Sequence, residues 1–195
     1  TTPELYNSIH LIRHKKYAIQ EGAINIENIQ NILNNIQVVE EPKLPFPQAD
    51  SFERVINLCE LLKQKGFISK NDITQNYDFD YRQTNYYSSA ARYLGLIKDV
   101  YENRQTGCSL TQEGFRIFNL PIVERQLEFV KLILTHTVFQ NTLNLYFEKG
   151  DAPTKDEVVE IMKEAQLYNI DSEQTYRRRA STIISWINWI LGLIE

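Results

Sequence analysis

The closing segment of the chain, "DSEQTYRRRASTIISWINWILGLIE", constrains the fold more than any other stretch. Ala180, Ile183, Ile184, Ile187, Leu191 and Ile194 fall on one side of a helix of 3.6 residues per turn. Gln174, Arg177, Arg178, Ser181, Ser185 and Asn188 occupy the other side, polar without exception. The pattern predicts a long helix over 172–191, ending before Gly192, with one buried face and one wet face.

A shorter segment repeats the arrangement. Residues 81–94 read as a helix closed by Gly95, with Tyr87, Ala90, Ala91 and Leu94 inward. Arg82, Asn85, Tyr86 and Ser89 share its outer face. Gln83-Thr84 matches Gln174-Thr175, and Leu94-Gly95-Leu96-Ile97 matches Leu191-Gly192-Leu193-Ile194. Two matched blocks in the same structural slot point to a duplicated unit, the second helix being longer by about six residues.

The 195 residues hold one ordinary domain or two small ones. Seven glycines and six prolines are few, which favours long helices with short connections over strands and turns. "NIENIQNILNNIQVV" places Ile29, Ile32, Leu33 and Ile36 at helical spacing, whereas "IHLIRHKKYAI" fits helix and strand equally. "EEPKLPFPQAD" then sets three prolines within six residues, an extended linker and a domain boundary.

Beyond the linker, Asp50 or Ser51 caps a helix with Phe52, Val55, Ile56, Cys59 and Leu62 inward, ending at Gly66. "ISKNDITQNYD" reads as a short helix capped by Ser69, pairing with 81–94 as a helix-turn-helix. Two short segments then flank a polar turn containing Gly107, with "SLTQEG" as the returning strand of a hairpin. From Pro121 the scheme restarts: a long helix or a pair of helices, a helix capped by Thr154, and the final helix. The expected fold is therefore mainly α, tandem winged-helix or helix-turn-helix units with a short β-hairpin wing. Residues 1–45 form an N-terminal helical arm and linker, 46–120 a first winged-helix domain, and 121–195 a second with a truncated wing.

A helix that enters the major groove presents hydrogen-bonding side chains on one face and packs with the other. Arginine pairs bidentately with guanine, and Asn or Gln with adenine; hydroxyls hold phosphates. Both polar N-terminal turns are rich in these types. The candidate DNA contacts are Arg82, Gln83, Asn85, Tyr86 and Ser89 in the first helix, Arg104 at the hairpin tip with Gln105 and Thr106 beside it, and Gln174, Thr175, Arg177, Arg178 and Ser181 in the last helix. Polar residues opposite an apolar stripe are also what any soluble helix shows. Three consecutive arginines near a helix start oppose its dipole and ask for an anion, a role that Glu173 or Asp171 would fill within the chain.

The net charge of −4 counts against a protein that coats nucleic acid by bulk attraction, but not against a local basic face. Acidic stretches such as "VVEEP" and "KDEVVE" hold non-specific affinity down, so the expected salt dependence of binding is modest. Two cysteines, Cys59 in a helix and Cys108 in a hairpin, make neither a disulfide framework nor a metal cluster and fit a reducing cytoplasm. There is no apolar run of membrane-spanning length.

The stretches "FPQADSFERVINLCELL", "FDYRQTNYYSSAARYLGLIKD" and "SLTQEG" resemble a winged-helix module of type II restriction endonucleases and associated proteins. Arg82, Gln83, Tyr86, Tyr87, Ala90, Ala91, Tyr93, Leu94, Gly95 and Leu96 carry the pattern, and the closing arginines with "WINWILGLI" resemble the second half of the module. The resemblance covers about residues 46–195. It implies sequence-specific duplex binding as the target-recognition module of a restriction-modification system.

Catalytic signatures are sparse. His10 and His14 stand four apart but lack a third ligand, and "Glu41-Pro42-Lys43" puts a proline where a nuclease strand would have to run. Trp186 and Trp189 read as core or interface. No cofactor, metal or catalytic residue is expected in this chain, although Thr1 is not a natural start and leaves room for a catalytic fragment completed by another domain. Expected partners are double-stranded DNA, a nuclease domain or subunit, and a second copy of the chain, with no membrane. The alternative reading is a winged-helix protein-interaction or dimerisation domain that does not read DNA.

Overall fold

The computed structural model describes residues 23–76 and 81–194, so His10 and His14 lie outside the described residues, as do the rest of residues 1–22 of the expected N-terminal arm. The described residues form nine helices and one three-stranded antiparallel sheet, a mainly α fold. None of these helices is long and apolar enough to cross a membrane.

Helix α1 (Ile26–Asn35) starts where Asn25 and Asn28 each accept the other's backbone N–H at 2.9 Å, and it buries Ile29 and Leu33. The proline-bearing segment that follows has neither helix nor strand, as its composition dictates, yet it is no loose tether. Phe46, Pro47 and Ala49 are buried. Helix α2 (Phe52–Lys65) buries Phe52, Val55, Leu58, Cys59 and Leu62; Ile56 stays half-buried, so Leu58 takes the inward place assigned to it.

Gly66, at φ 78°, ends α2 and turns the chain into β1 (Phe67–Ser69), a strand too short to leave a periodic signal. Ser69 caps α3 (Lys70–Asn76) as expected, its Oγ accepting from the Asp72 N–H at 3.1 Å. Helix α4 (Tyr81–Tyr93) ends at Gly95, φ 72°, with Leu96 N–H bonded back to the Ala91 carbonyl at 2.9 Å.

The hairpin differs from the sequence-based expectation. Strands β2 (Ile97–Glu102) and β3 (Gln105–Leu110) pair with Glu102 opposite Gln105, so the turn is Asn103-Arg104, at φ 50° and 62°. Positive φ at both turn residues matches the right-handed twist of the strands, and Asn at the first place tolerates it. Gly107 is not in the turn; it lies inside β3, paired with Ser69 of β1 and Val100 of β2. A Cβ at Gly107 would meet the Phe67 ring at 2.6 Å and the Ile68 carbonyl oxygen more closely still. "SLTQEG" is only partly strand. Thr111 leaves the sheet to cap α5 (Gln112–Phe118), accepting from the Gly114 N–H at 3.0 Å.

The region after Pro121 is a pair of helices, α6 (Ile122–Leu134) and α7 (Thr137–Lys149), followed by α8 (Lys155–Glu164) and α9 (Glu173–Leu191). Thr154 and Glu157 form the expected capping box on α8, and Ser172 caps α9. Gly192 has φ −68°, unlike Gly95, so the matched blocks differ in backbone conformation. Ile194 forms a parallel bridge with Ile24.

One core runs through both halves of the chain. Phe52 meets Trp186 at 5.0 Å and Phe129 at 5.8 Å; Phe118 meets Phe129 at 5.3 Å, and Phe139 stacks on Trp186 at 5.2 Å. These rings come from both sides of Pro121 and are the largest fully buried side chains among the described residues.

Candidate nucleic-acid interface

Helix α9 buries Ala180, Ile183, Ile187 and Ile190, together with Thr182 and Trp186, and leaves Gln174, Arg177, Arg178 and Asn188 exposed. Its buried face lies on the proline-bearing segment through a run of long-range hydrogen bonds. Trp186 Nε1 donates to the Ala49 carbonyl at 2.8 Å, and the Ala49 N–H donates to Thr182 Oγ1 at 3.1 Å. Ser185 Oγ donates to the Asp50 carbonyl, Thr182 Oγ1 to Asp50 Oδ1 at 3.3 Å, and Arg179 to the Phe46 carbonyl. Residues 46–50 are thus fixed against α9 although they have no secondary structure of their own.

The three consecutive arginines diverge. Arg177 donates from both terminal nitrogens to Asp156 Oδ1 at 2.7 Å, so its carboxylate partner comes from α8 and not from Asp171 or Glu173. Glu173 instead pairs with Lys163 at 3.2 Å. Arg178 is exposed and makes no ion pair among the described residues. Arg179 is half-buried; burial pushes its pKa down, the positive Arg178 adds to this, and the Tyr86 phenol opposes it. Both helices touch Phe46: Tyr93 of α4 meets its ring at 5.4 Å, and Arg179 of α9 donates to its carbonyl.

Gln174, Arg177, Arg178 and Ser181, four of the five candidates on α9, line a cleft of about 500 Å³. Its other walls are Gln48, Asp50, Lys155 and Glu173, with Lys155 Nζ donating to Ser181 Oγ at 2.8 Å. Thr175 is not among them: it is half-buried and committed to the helix start, its N–H donating to Ser172 Oγ at 3.2 Å and its own Oγ1 lying 2.8 Å from that oxygen. Sequence reasoning missed Gln48 and Lys155. The Thr154 cap fixed the start of α8 and so held a signal for Lys155; nothing local signalled Gln48.

On α4, Arg82 and Tyr86 are exposed, while Gln83, Asn85 and Ser89 are half-buried. Thr84 and Ser88, unassigned in the sequence, are buried, and the Ser88 hydroxyl is used within the helix, donating to the Thr84 carbonyl at 2.7 Å. Arg104 stands exposed in the left-handed region at the tip of the β2–β3 hairpin, with Gln105 and Thr106 exposed beside it. Cys59 and Cys108 are both buried and unpaired. Among the described residues no group of three or more His, Cys, Asp or Glu side chains could hold a metal ion.

The class these features define is a mainly α protein with a small antiparallel sheet and a cation-bearing cleft at the start of its last long helix. A family model described as "Domain of unknown function (DUF7226)" matches residues 54–195, and the chain belongs to that family. The match takes in α3–α9 and nearly all of α2, but not α1 or the segment that bears Gln48. No curated protein and no solved structure matches the chain.

Proposed function

We propose that this protein reads a specific sequence in double-stranded DNA, as the target-recognition module of a restriction-modification system. The observation that carries this reading is the cleft at the start of α9, where Gln174, Arg177, Arg178 and Ser181 stand together with Gln48 and Lys155. A duplex offers phosphates at regular spacing and base edges between them, and arginines serve both. The order α2, β1, α3, α4, β2, β3 supports a winged-helix unit in which α3 and α4 are the helix-turn-helix and Asn103-Arg104 tips the wing. Helices α7, α8 and α9 follow the same three-helix scheme without a hairpin, in keeping with a duplicated unit whose wing is truncated. On this reading 46–120 and 121–195 are two winged-helix units on a shared core, and a nuclease acts from another domain or subunit in the cytoplasm.

The test is selection from a random duplex library at moderate salt. Enrichment of a motif of several base pairs, lost in Arg82→Ala or Arg178→Ala protein, is the expected result. No retention even at low salt overturns the proposal.

A second reading, a dimerisation domain, draws on the exposed apolar side chains Phe115 (56%) and Ile122 (69%) near the α5–α6 junction. Replacing both Arg177 and Arg178 by alanine leaves the oligomeric state unchanged if these arginines serve DNA. It changes that state if they serve a protein interface.

A further inference from the structure

We infer that the cleft at the start of α9 reads base edges, not phosphates, and that Gln48 is a specificity-determining residue within it. The inference rests on the DNA-reading proposal and deepens it.

The chemistry of the lining separates the two kinds of ligand. A phosphate oxygen only accepts hydrogen bonds, so a phosphate site is built from donors alone. This cleft is lined by Asp50 and Glu173 as well as by Lys155, Arg177 and Arg178, and by Gln48 and Gln174. Carboxylates there would repel phosphate. A base edge in the major groove displays donors and acceptors side by side, and a mixed lining is its complement.

Gln48 is held as a reading residue needs to be held. Pro47 before it and Ala49 after it are buried. The Ala49 N–H and carbonyl are bonded to Thr182 and Trp186, and the Asp50 and Phe46 carbonyls to Ser185 and Arg179. The backbone on both sides is therefore fixed to α9, while the Gln48 side chain is half-buried in the cleft and makes no hydrogen bond among the described residues. Its amide has an acceptor and a donor available together, the pair that meets N6 and N7 of adenine. Preorganised backbone with an unspent amide gives discrimination at little entropic cost.

The experiment is the same duplex selection run on the wild-type chain, Gln48→Ala and Gln48→Glu, followed by salt titrations on the enriched site. Gln48→Ala is expected to lose preference at one or two base pairs by about tenfold, with the remaining positions and the salt slope unchanged. Gln48→Glu, which keeps the shape and replaces the donor by an acceptor, is expected to move the preference at that position toward a pair that presents the cytosine amino group. A motif identical in all three proteins overturns the inference while the DNA-reading proposal stands. So does an equal loss on all sequences with a shallower salt slope, which marks a phosphate contact. A wild-type chain that enriches nothing overturns both.

Discussion

The indole of Trp186 donates to the carbonyl oxygen of Ala49 across 2.8 Å in the fully buried centre of the molecule. A phenyl ring at this position keeps the aromatic contacts with Phe52 and Phe139 but leaves that oxygen without its donor. Trp186→Phe is therefore expected to cost about 2 kcal/mol. Urea titration should show a lower midpoint with an unchanged slope.

Glu41 performs a similar service from the other side of the proline-bearing segment. It accepts from the buried Tyr93 hydroxyl and faces His136 Nδ1 at 3.4 Å, while the His136 and Tyr93 rings stack at 4.2 Å. Burial, with the carboxylate beside it, keeps the Tyr93 phenol neutral by raising its pKa. Glu41→Ala should cost about 2 kcal/mol by stranding that hydroxyl. The loss should appear first as faster amide exchange in residues 36–45, because α9 still holds residues 46–50.

Gly107 owes its place to space. Its Cβ would overlap the Phe67 ring and the Ile68 carbonyl oxygen, and that oxygen belongs to the backbone of β1, which is held in its pairing with β3. Gly107→Ala is expected to destabilise by roughly 3 kcal/mol or more and to separate β1 from β3. Gly95→Ala meets no neighbour and bears only the cost of its left-handed φ of 72°, about 1 kcal/mol. Thermal melts of the two variants rank them.

Asp156 restrains Arg177. The pair is solvent-exposed, so Asp156→Asn should change stability by less than about 1 kcal/mol. On the DNA-reading proposal, the released arginine is expected to raise affinity for the selected site several-fold with little change in the salt slope, because the cleft takes a base edge. Fluorescence anisotropy at several salt concentrations reads both.

Both thiols are poor nucleophiles in the folded chain. Burial pushes the Cys108 thiol up to about 11 and raises Cys59 further. Alkylation of native protein near pH 8 should be negligible until denaturant is added. Because the neutral thiol is the folded form, the unfolded chain releases protons first as pH rises past about 9. Stability from these groups is complete below that pH and falls between it and about 11. Urea midpoints at pH 8 and pH 10.5 test the sign.

Helices α1, α2, α4 and α9 were legible because each carries a 3.6-residue apolar period, and α2, α4, α8 and α9 because an end signal acts over four residues or fewer: Gly66, Gly95, Thr154, Gly192. The failures share one cause. Gly107 read as a turn residue because glycine more often serves φ than clearance, and the clearance is set by Phe67 and Ile68, forty residues away in sequence. Strand β1 is three residues long, below any period. The partner of Arg177 was sought among its sequence neighbours and lies one helix away. Gln48 was unreadable for the same reason, since what fixes it is the far end of the chain.

The hydrogen bonds between residues 46–50 and α9 join positions 132 to 137 apart. Contacts so distant along the chain form late, after the local helices, because the intervening loop must first be closed. During synthesis Phe46 meets Tyr93 and Phe139 first, but Ala49 must wait, its backbone groups unpartnered, until Thr182 and Trp186 have been added. An early segment to leave the ribosome is thus among the last to find its place, and a chaperone that covers it in the interval would act before the fold is closed.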